Sequence, residues 1–382
     1  MTPTARALLL GLGTASALGF ARFAYGLLVP AMQDDLQWTL AGAGAISTVN
    51  GLGYLAGAVA TAPIVRRWGA AAAFRWGMVA TALALAATAA GDLAPVLVAS
   101  RFAAGASGAA VFIAGGVIAA GLASRAGSSA PIAVYFAGTG LGILLSGAAL
   151  PALGGHWRTA WLCLGAAAGL AALCSWAAAG TGDAEPSATA GRPHLRPLWR
   201  IAVAYVLFAT GYIAYITFLS VYLADRDASV AQTASTWAVL GIGVMAAPVL
   251  WSRPIGRWPG TRALAAVLGL LAASAALALV SHAPLAVLAS AIAYGATFMA
   301  VPAAVTASIR TAVPQADWTA ALAAFTVLFA AGQTAGPWLA GLLADRIGAA
   351  APLAWTAALC AAAAVFAALP SKTSPRLTAG IR

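Results

Sequence analysis

The chain has 382 residues, of which 62% are apolar and only 8% charged, with a formal net charge of +11. No soluble domain of this length carries so few charges, so the composition places the chain in a bilayer. It also argues against nucleic-acid binding, because the basic residues sit in short loops between apolar runs rather than on one solvated face.

Charged and Pro/Gly-rich breaks divide the apolar sequence into twelve predicted spans. The first six run 7–31, 41–64, 73–91, 93–122, 131–153 and 158–179. The second six run 199–223, 232–251, 262–281, 284–309, 318–343 and 351–370. Each is near the roughly 20 residues that cross the hydrocarbon core. Backbone groups find no partners in lipid, so the spans must be helices, and the short alternating segments of a barrel do not occur. Ala15-Ser16-Ala17 resembles a leader cleavage site, but the apolar run continues to Met32 and is read as a retained first span.

The stretch 181–197 holds Asp183, Glu185 and three prolines, which is linker chemistry. It separates a first six-helix unit at 1–180 from a second at 198–382. Of 20 basic residues, Arg158, Arg226 and Arg346 fall at one set of span ends and Arg22 and Arg101 within spans; the other fifteen fall at the opposite ends. By the positive-inside rule both termini are then cytoplasmic, in a bacterial inner membrane. Cys163, Cys174 and Cys360 lie in apolar segments with no metal or disulfide spacing.

The two units repeat. At an offset of 190, Asp35 meets Asp225, Tyr25 meets Tyr215, Gly51 and Gly53 meet Gly241 and Gly243, and Arg67-Trp68 meets Arg257-Trp258. Later the offset becomes 194, and Gly138, Gly142 and Trp161 meet Gly332, Gly336 and Trp355. Two like halves in an apolar chain point to a transporter built on a pseudo-two-fold axis. The repeat fails at two arginines: Arg22 meets Tyr212 and Arg101 meets Ala291. The scaffold therefore does not require either of them.

Several strings resemble the major facilitator superfamily across the whole chain. Arg101-Phe102-Ala103-Ala104-Gly105-Ala106-Ser107-Gly108 resembles its fourth-helix signature. Gly138-x-x-x-Gly142 with Gly154-Gly155-His156-Trp157-Arg158 resembles the fifth helix and its outer end. Gly332-x-x-x-Gly336-Pro337, followed by Asp345-Arg346, resembles the eleventh helix and its loop. The opening Gly19–Met32, with Arg22, Tyr25 and Pro30, is similar to the bacterial YbfB/YjiJ-type branch. The resemblance implies twelve helices in two pseudo-symmetric bundles, and gate contacts near Arg66, Arg67, Asp345 and Arg346. Arg66 stands where the superfamily's loop between helices two and three usually has an acid, so that acid's gate contact does not carry over.

An arginine at mid-membrane costs about 2.5–3.5 kcal/mol on insertion scales. Arg22 lies near the centre of its span and Arg101 nearer the outer end, with no Asp or Glu deep in any span. Either one or both present a guanidinium to an anionic substrate in a wet cavity, or each is structural, with Arg101 binding backbone carbonyls or the end of helix one and Arg22 reaching Asp34 or Asp35 through water. Helical spacing puts Tyr25 on the face of Arg22, and Asn50 on the face of Tyr54. With Tyr212 and Tyr215 opposite, these would line a pocket for a small carboxylate or polar aromatic; aromatic packing between helices is the plainer reading of each tyrosine. Gly105, Gly138, Gly142 and Gly336 suit close helix packing, and Pro248, Pro302 and Pro337 suit kinks.

The expected function is alternating-access transport of a small organic anion or zwitterion by a monomer with no cofactor and no metal. Proton coupling is left open, since Asp34, Asp35, Asp92, Asp317, His156 and His282 all sit at span ends. Proton-driven efflux of drugs or lipophilic metabolites is the alternative, although Ile143 follows Gly142 where drug antiporters often have proline. ATP coupling within the chain is excluded because the only lysine, Lys372, follows Ser371. An intramembrane serine protease around Ser107 would need a histidine base, and His156, His194 and His282 are placed away from it.

Overall fold

The computed structural model describes residues 1–91, 93–180, 196–281 and 283–369. The linker expectation at 181–197 and the candidates Asp92 and His282 therefore fall largely or wholly outside the described residues. Every regular element among the described residues is helical, and 11 helices are long and apolar enough to cross a membrane. One of these, Leu40–Thr88, is 49 residues long and contains Gly69 at φ 82°, ψ 159°. That conformation is open to glycine and strained for other residues, so it divides the element into two spans and gives twelve crossings.

We number the crossings α1 (Pro3–Leu36), α2 (40–68), α3 (70–88), α4 (Ala94–Ala126), α5 (Ala130–Leu153) and α6 (Trp157–Ser175). The second half continues with α7 (Trp199–Ala224), α8 (Val230–Arg257), α9 (Arg262–Val280), α10 (Pro284–Ala312), α11 (Trp318–Ile347) and α12 (Ala351–Ala368). The end of the bundle where α1 begins is called the near end, and the other the far end.

The repeat is visible in backbone detail. Gln37 and Asp227, 190 positions apart, are the non-glycine residues with positive φ among those described, at 53° and 50°. Two residues further on, Thr39 and Ser229 cap α2 and α8 alike, each side chain accepting the backbone N–H three residues later at 3.1 Å. Packing repeats as well. α2 lies on α4 as α8 lies on α10, α3 on α6 as α9 on α12, and α1 on α5 as α7 on α11. The halves meet where α5 crosses α8, α2 crosses α11 and α1 crosses α7.

Glycine makes the closest of these contacts possible. A Cβ on Gly105 of α4 would strike the carbonyl of Asn50 in α2, and one on Gly295 of α10 would strike the carbonyl of Leu240 in α8. The same approach occurs twice, 190 residues apart. In the membrane such close backbone packing replaces the hydrophobic drive between helices.

Two departures from regular helix concern the site. Ala15–Phe23 in α1 is π-helical, with wide turns such as the bond from Ala24 N–H to Gly19 O at 2.9 Å. In α10 the helix is interrupted at Met299, between Phe298 and Ala300. Pro302 has no N–H to give the carbonyl of Phe298 and its ring crowds that turn, which accounts for the break. The helices run unbroken through Pro248 and Pro337.

Candidate functional site

A cavity of about 260 Å³ lies between the halves, from mid-depth toward the near end. The first half contributes Leu18, Arg22 and Phe23 from α1, Tyr54 and Ala58 from α2, and Phe112 from α4. The second half contributes Tyr205 and Tyr212 from α7, Pro302 and Thr306 from α10, and Phe325, Phe329 and Gln333 from α11. A second cavity of about 310 Å³ sits at the far end, with Asp34 and His156 in its wall. The central cavity is the candidate site, because both halves build it and it holds a buried cation.

Arg22 belongs to the π-helical segment and is 8% exposed. Its Nη2 donates to Gln333 Oε1 at 2.9 Å, and its guanidinium lies 5.4 Å from the centre of the Tyr54 ring. Tyr212 O–H donates to the same Gln333 oxygen at 3.1 Å. Arg22 Nε and Gln333 Nε2 are buried without a hydrogen-bond partner. Neither residue meets a carboxylate among the described residues. Tyr54 and Tyr212 thus stand beside Arg22 as the sequence suggests.

Tyr25 does not. The wide π turn breaks the α-helical spacing that would have aligned it with Arg22. Its hydroxyl instead donates to the carbonyl of Ala43 at 2.8 Å, and its ring faces Arg101. Arg101 lies away from the cavity and is 1% exposed. Its guanidinium sits between the rings of Tyr25 and Trp161, at 5.2 and 4.8 Å, and its Nη2 donates to the carbonyl of Ala21 at 2.6 Å. That is the structural arrangement in which an arginine of α4 ties down α1.

Asn50 lies in the α2–α4 seam, its amide donating to the backbone carbonyl of Arg101 at 3.0 Å. Tyr215 lies inside the second half, hydrogen-bonded to Ser290 at 2.8 Å and stacked on Tyr294 at 3.8 Å. Gly138 and Gly142 pack on α1, and Gly336 packs on Thr210 of α7. Pro337 faces Gly44 of α2. Arg66, Arg67 and Arg346 are exposed at helix ends. Asp345 reaches across the far end, accepting the N–H groups of Leu40 and Ala41 at 2.7 and 3.0 Å.

The residue that sequence reasoning missed is Gln333. Its signal was available: at the offset of 194 it meets Thr139, so the repeat fails here as it does at Arg22. A polar amide inside an apolar span is costly unless something requires it.

The second half faces the cavity with aromatic rings. Tyr205, Phe208, Tyr212, Phe298, Phe325 and Phe329 form a continuous stack with planes inclined by 9–27° to one another. The charged and amide groups are gathered at Arg22 and Gln333, while Thr306 and Thr326 of the lining bond carbonyls of their own helices, an arrangement that suits a ligand with one strongly polar end and a largely apolar body.

Residues 14–371 match the family described as the uncharacterised MFS-type transporter YbfB. No curated protein matches the chain by sequence. Among solved structures, the nucleoside transporter NupG superposes with a TM-score of 0.70 at 12% identity, covering 96% of each chain. A NupG mutant gives 0.74 at 12% identity, covering 95% of this chain and 98% of that one. A bacterial homolog of the human lysosomal transporter Spinster, in an inward-facing and unoccupied conformation, gives 0.65 at 16% identity, covering 96% and 95%. These likenesses speak to the fold. With a match over nearly its whole length, the chain belongs to the YbfB-type family of the major facilitator superfamily, and is a multi-pass membrane transporter of small molecules rather than an enzyme.

Proposed function

We propose that this transporter carries a small organic anion or zwitterion through the cytoplasmic membrane by alternating access. The reading rests on Arg22, a permanent cation in the wall of a cavity whose described lining has no carboxylate. A guanidinium held at mid-membrane costs about 2.5–3.5 kcal/mol, and an anionic ligand would offset much of that. The near end carries the arginine-rich loops and is taken as cytoplasmic, with both termini on that side. The cavity then faces inward, while Asp345 and the α2–α11 and α5–α8 crossings close the far side. Residues 1–180 and 198–382 act as the two rocking units, with 181–197 linking them, and one chain supplies the whole cavity, so the functional unit is a monomer.

The aromatic lining supports a second reading, efflux of lipophilic compounds. Cationic drugs would call for a carboxylate in the wall, and the described lining has none. Counterflow into proteoliposomes with a panel of labelled carboxylates and lipophilic cations separates the two. Carboxylate exchange is expected, and Arg22→Ala should abolish it. Movement of cations alone, or undiminished anion exchange by Arg22→Ala, would overturn the proposal.

A further inference from the structure

We infer that Gln333 occupies the substrate's own place on Arg22, and that a carboxylate on a flat aromatic body displaces it, so that binding replaces the direct bond between α1 and α11 with a link through the ligand. This deepens the anion reading above and rests on it.

The hydrogen bonds define the place. Nε and Nη2 of an arginine form one edge of the guanidinium, an edge that can take a carboxylate through two parallel bonds. In Arg22 the Nη2 prong is held by Gln333 Oε1 at 2.9 Å, and the Nε prong is buried with no partner. A neutral amide oxygen supplies one acceptor where the edge offers two donors. A carboxylate supplies both acceptors with a full negative charge, so that donor and acceptor are both ionised, whereas the amide bond is charged on the donor side alone.

The amide is equally half-used. Gln333 Oε1 accepts from Arg22 and Tyr212, while Gln333 Nε2, also buried, donates to nothing. Once displaced, that N–H group is a ready donor to the incoming carboxylate. Buried polar groups without partners are uncommon, and here two lie on the two residues of one hydrogen bond. The pair is satisfied together only when an acceptor arrives.

The body of the ligand follows from the opposite wall. Tyr205, Tyr212, Phe325 and Phe329 line the cavity and lie in one near-parallel stack, with Tyr205 and Phe329 centred 5.1 Å apart at 21°. Ring faces set parallel accept another flat ring in an offset stack, whereas a saturated ring meets them with fewer close contacts. Arg22 comes from the first half and the stack from the second, so one ligand engages both.

The consequence is a latch. Arg22 to Gln333 is a side-chain bond between the halves at mid-depth. When the ligand takes Arg22, that bond is lost and the halves are tied through the ligand instead. A binding site blocked by its own side chain for most of the time has its apparent affinity lowered by the open fraction.

The test uses the purified full-length chain with Cys163, Cys174 and Cys360 replaced by serine. The probes are 2-naphthoate, uncharged 2-naphthamide and saturated decalin-2-carboxylate. Binding is read by calorimetry, and far-end separation by electron–electron resonance between spin labels at Gln37→Cys and Ile347→Cys. Wild type should bind 2-naphthoate most tightly, and the ligand should lengthen the far-end distance. Gln333→Leu removes the occupant: Kd for 2-naphthoate should fall by about tenfold, and the ligand-free distance should already move toward the bound value. Gln333→Glu places a tethered carboxylate on Arg22: Kd should rise by about tenfold or more, with the ligand-free distance short. Weaker binding by Gln333→Leu, with an unchanged distance, would make Gln333 an ordinary ligand contact and overturn the latch while leaving the anion reading intact. Preference for 2-naphthamide, or binding of 2-naphthoate that Arg22→Ala leaves unchanged, would overturn both. Equal binding of the decalin acid would remove the aromatic requirement and overturn the substrate class inferred here.

Discussion

The carboxylate of Asp345, at the end of α11, accepts the backbone N–H groups of Leu40 and Ala41, the first residues of α2. An acid from the second half thus terminates a helix of the first. Both a cap and a favourable charge at a helix N-terminus are involved, each worth on the order of 1 kcal/mol. Asp345→Ala should therefore lower the melting temperature of the solubilised protein and shift the far end toward open, whereas Asp345→Asn, which keeps an acceptor, should show a smaller effect. Identical melting and spin-label distances in all three proteins would remove Asp345 from the closure.

Arg22→Lys tests geometry against charge. Lysine keeps the cation but not the two-pronged edge. Losing one charge-assisted bond costs about 1.5–3 kcal/mol, or roughly ten- to a hundredfold in affinity. Carboxylate transport by Arg22→Lys should consequently fall between wild type and Arg22→Ala. Wild-type uptake by the lysine variant would mean that any cation suffices.

Arg101→Leu should disturb the site without touching it. Arg101 gives its Nη2 hydrogen to Ala21, one residue before Arg22, within the π-helical segment. Removing that donor leaves the Ala21 carbonyl short of a partner, at a cost of about 1–3 kcal/mol. Transport by Arg101→Leu should drop through weaker binding, and Arg101→Ala should behave likewise. Retention of full affinity in both would show that the wide turn holds by itself.

Gly105→Ala and Gly295→Ala make a matched pair. Each added methyl meets a backbone carbonyl, of Asn50 in one seam and Leu240 in the other. Overpacking of this kind costs about 1–3 kcal/mol. The two variants should lower the melting temperature by similar amounts in fluorescence-detected size exclusion. A large drop in one and none in the other would mean the two seams are not equivalent.

The span pattern was legible because lipid imposes it: apolar length and loop arginines leave little freedom. The repeat was legible too, and it extends to the caps at Thr39 and Ser229 and the turns at Gln37 and Asp227. The site was legible only in part. Arg22, Tyr54 and Tyr212 gather around the cavity, but Tyr25 turns away because α-helical spacing does not hold across a π-helical segment. Asn50 turns to α4 and Arg101 to α1 and α6, since a periodic pattern says which residues share a face and not which neighbour that face meets. Gln333 is hidden because it fills an unspecified position of Gly332-x-x-x-Gly336, where the pattern points to the glycines; comparison with Thr139 exposes it.

Gly69 alone joins α2 to α3, whereas Trp258–Thr261 joins α8 to α9. One joint is a single residue and the other a four-residue strap. A tilt of α2 passes straight into α3, so that the two act as a single bent lever, while α8 has slack to tilt before α9 feels the pull. At this joint the symmetric-looking halves are therefore unlike: the half that holds the cation has the shorter link, and the half that carries the aromatic wall has the longer one.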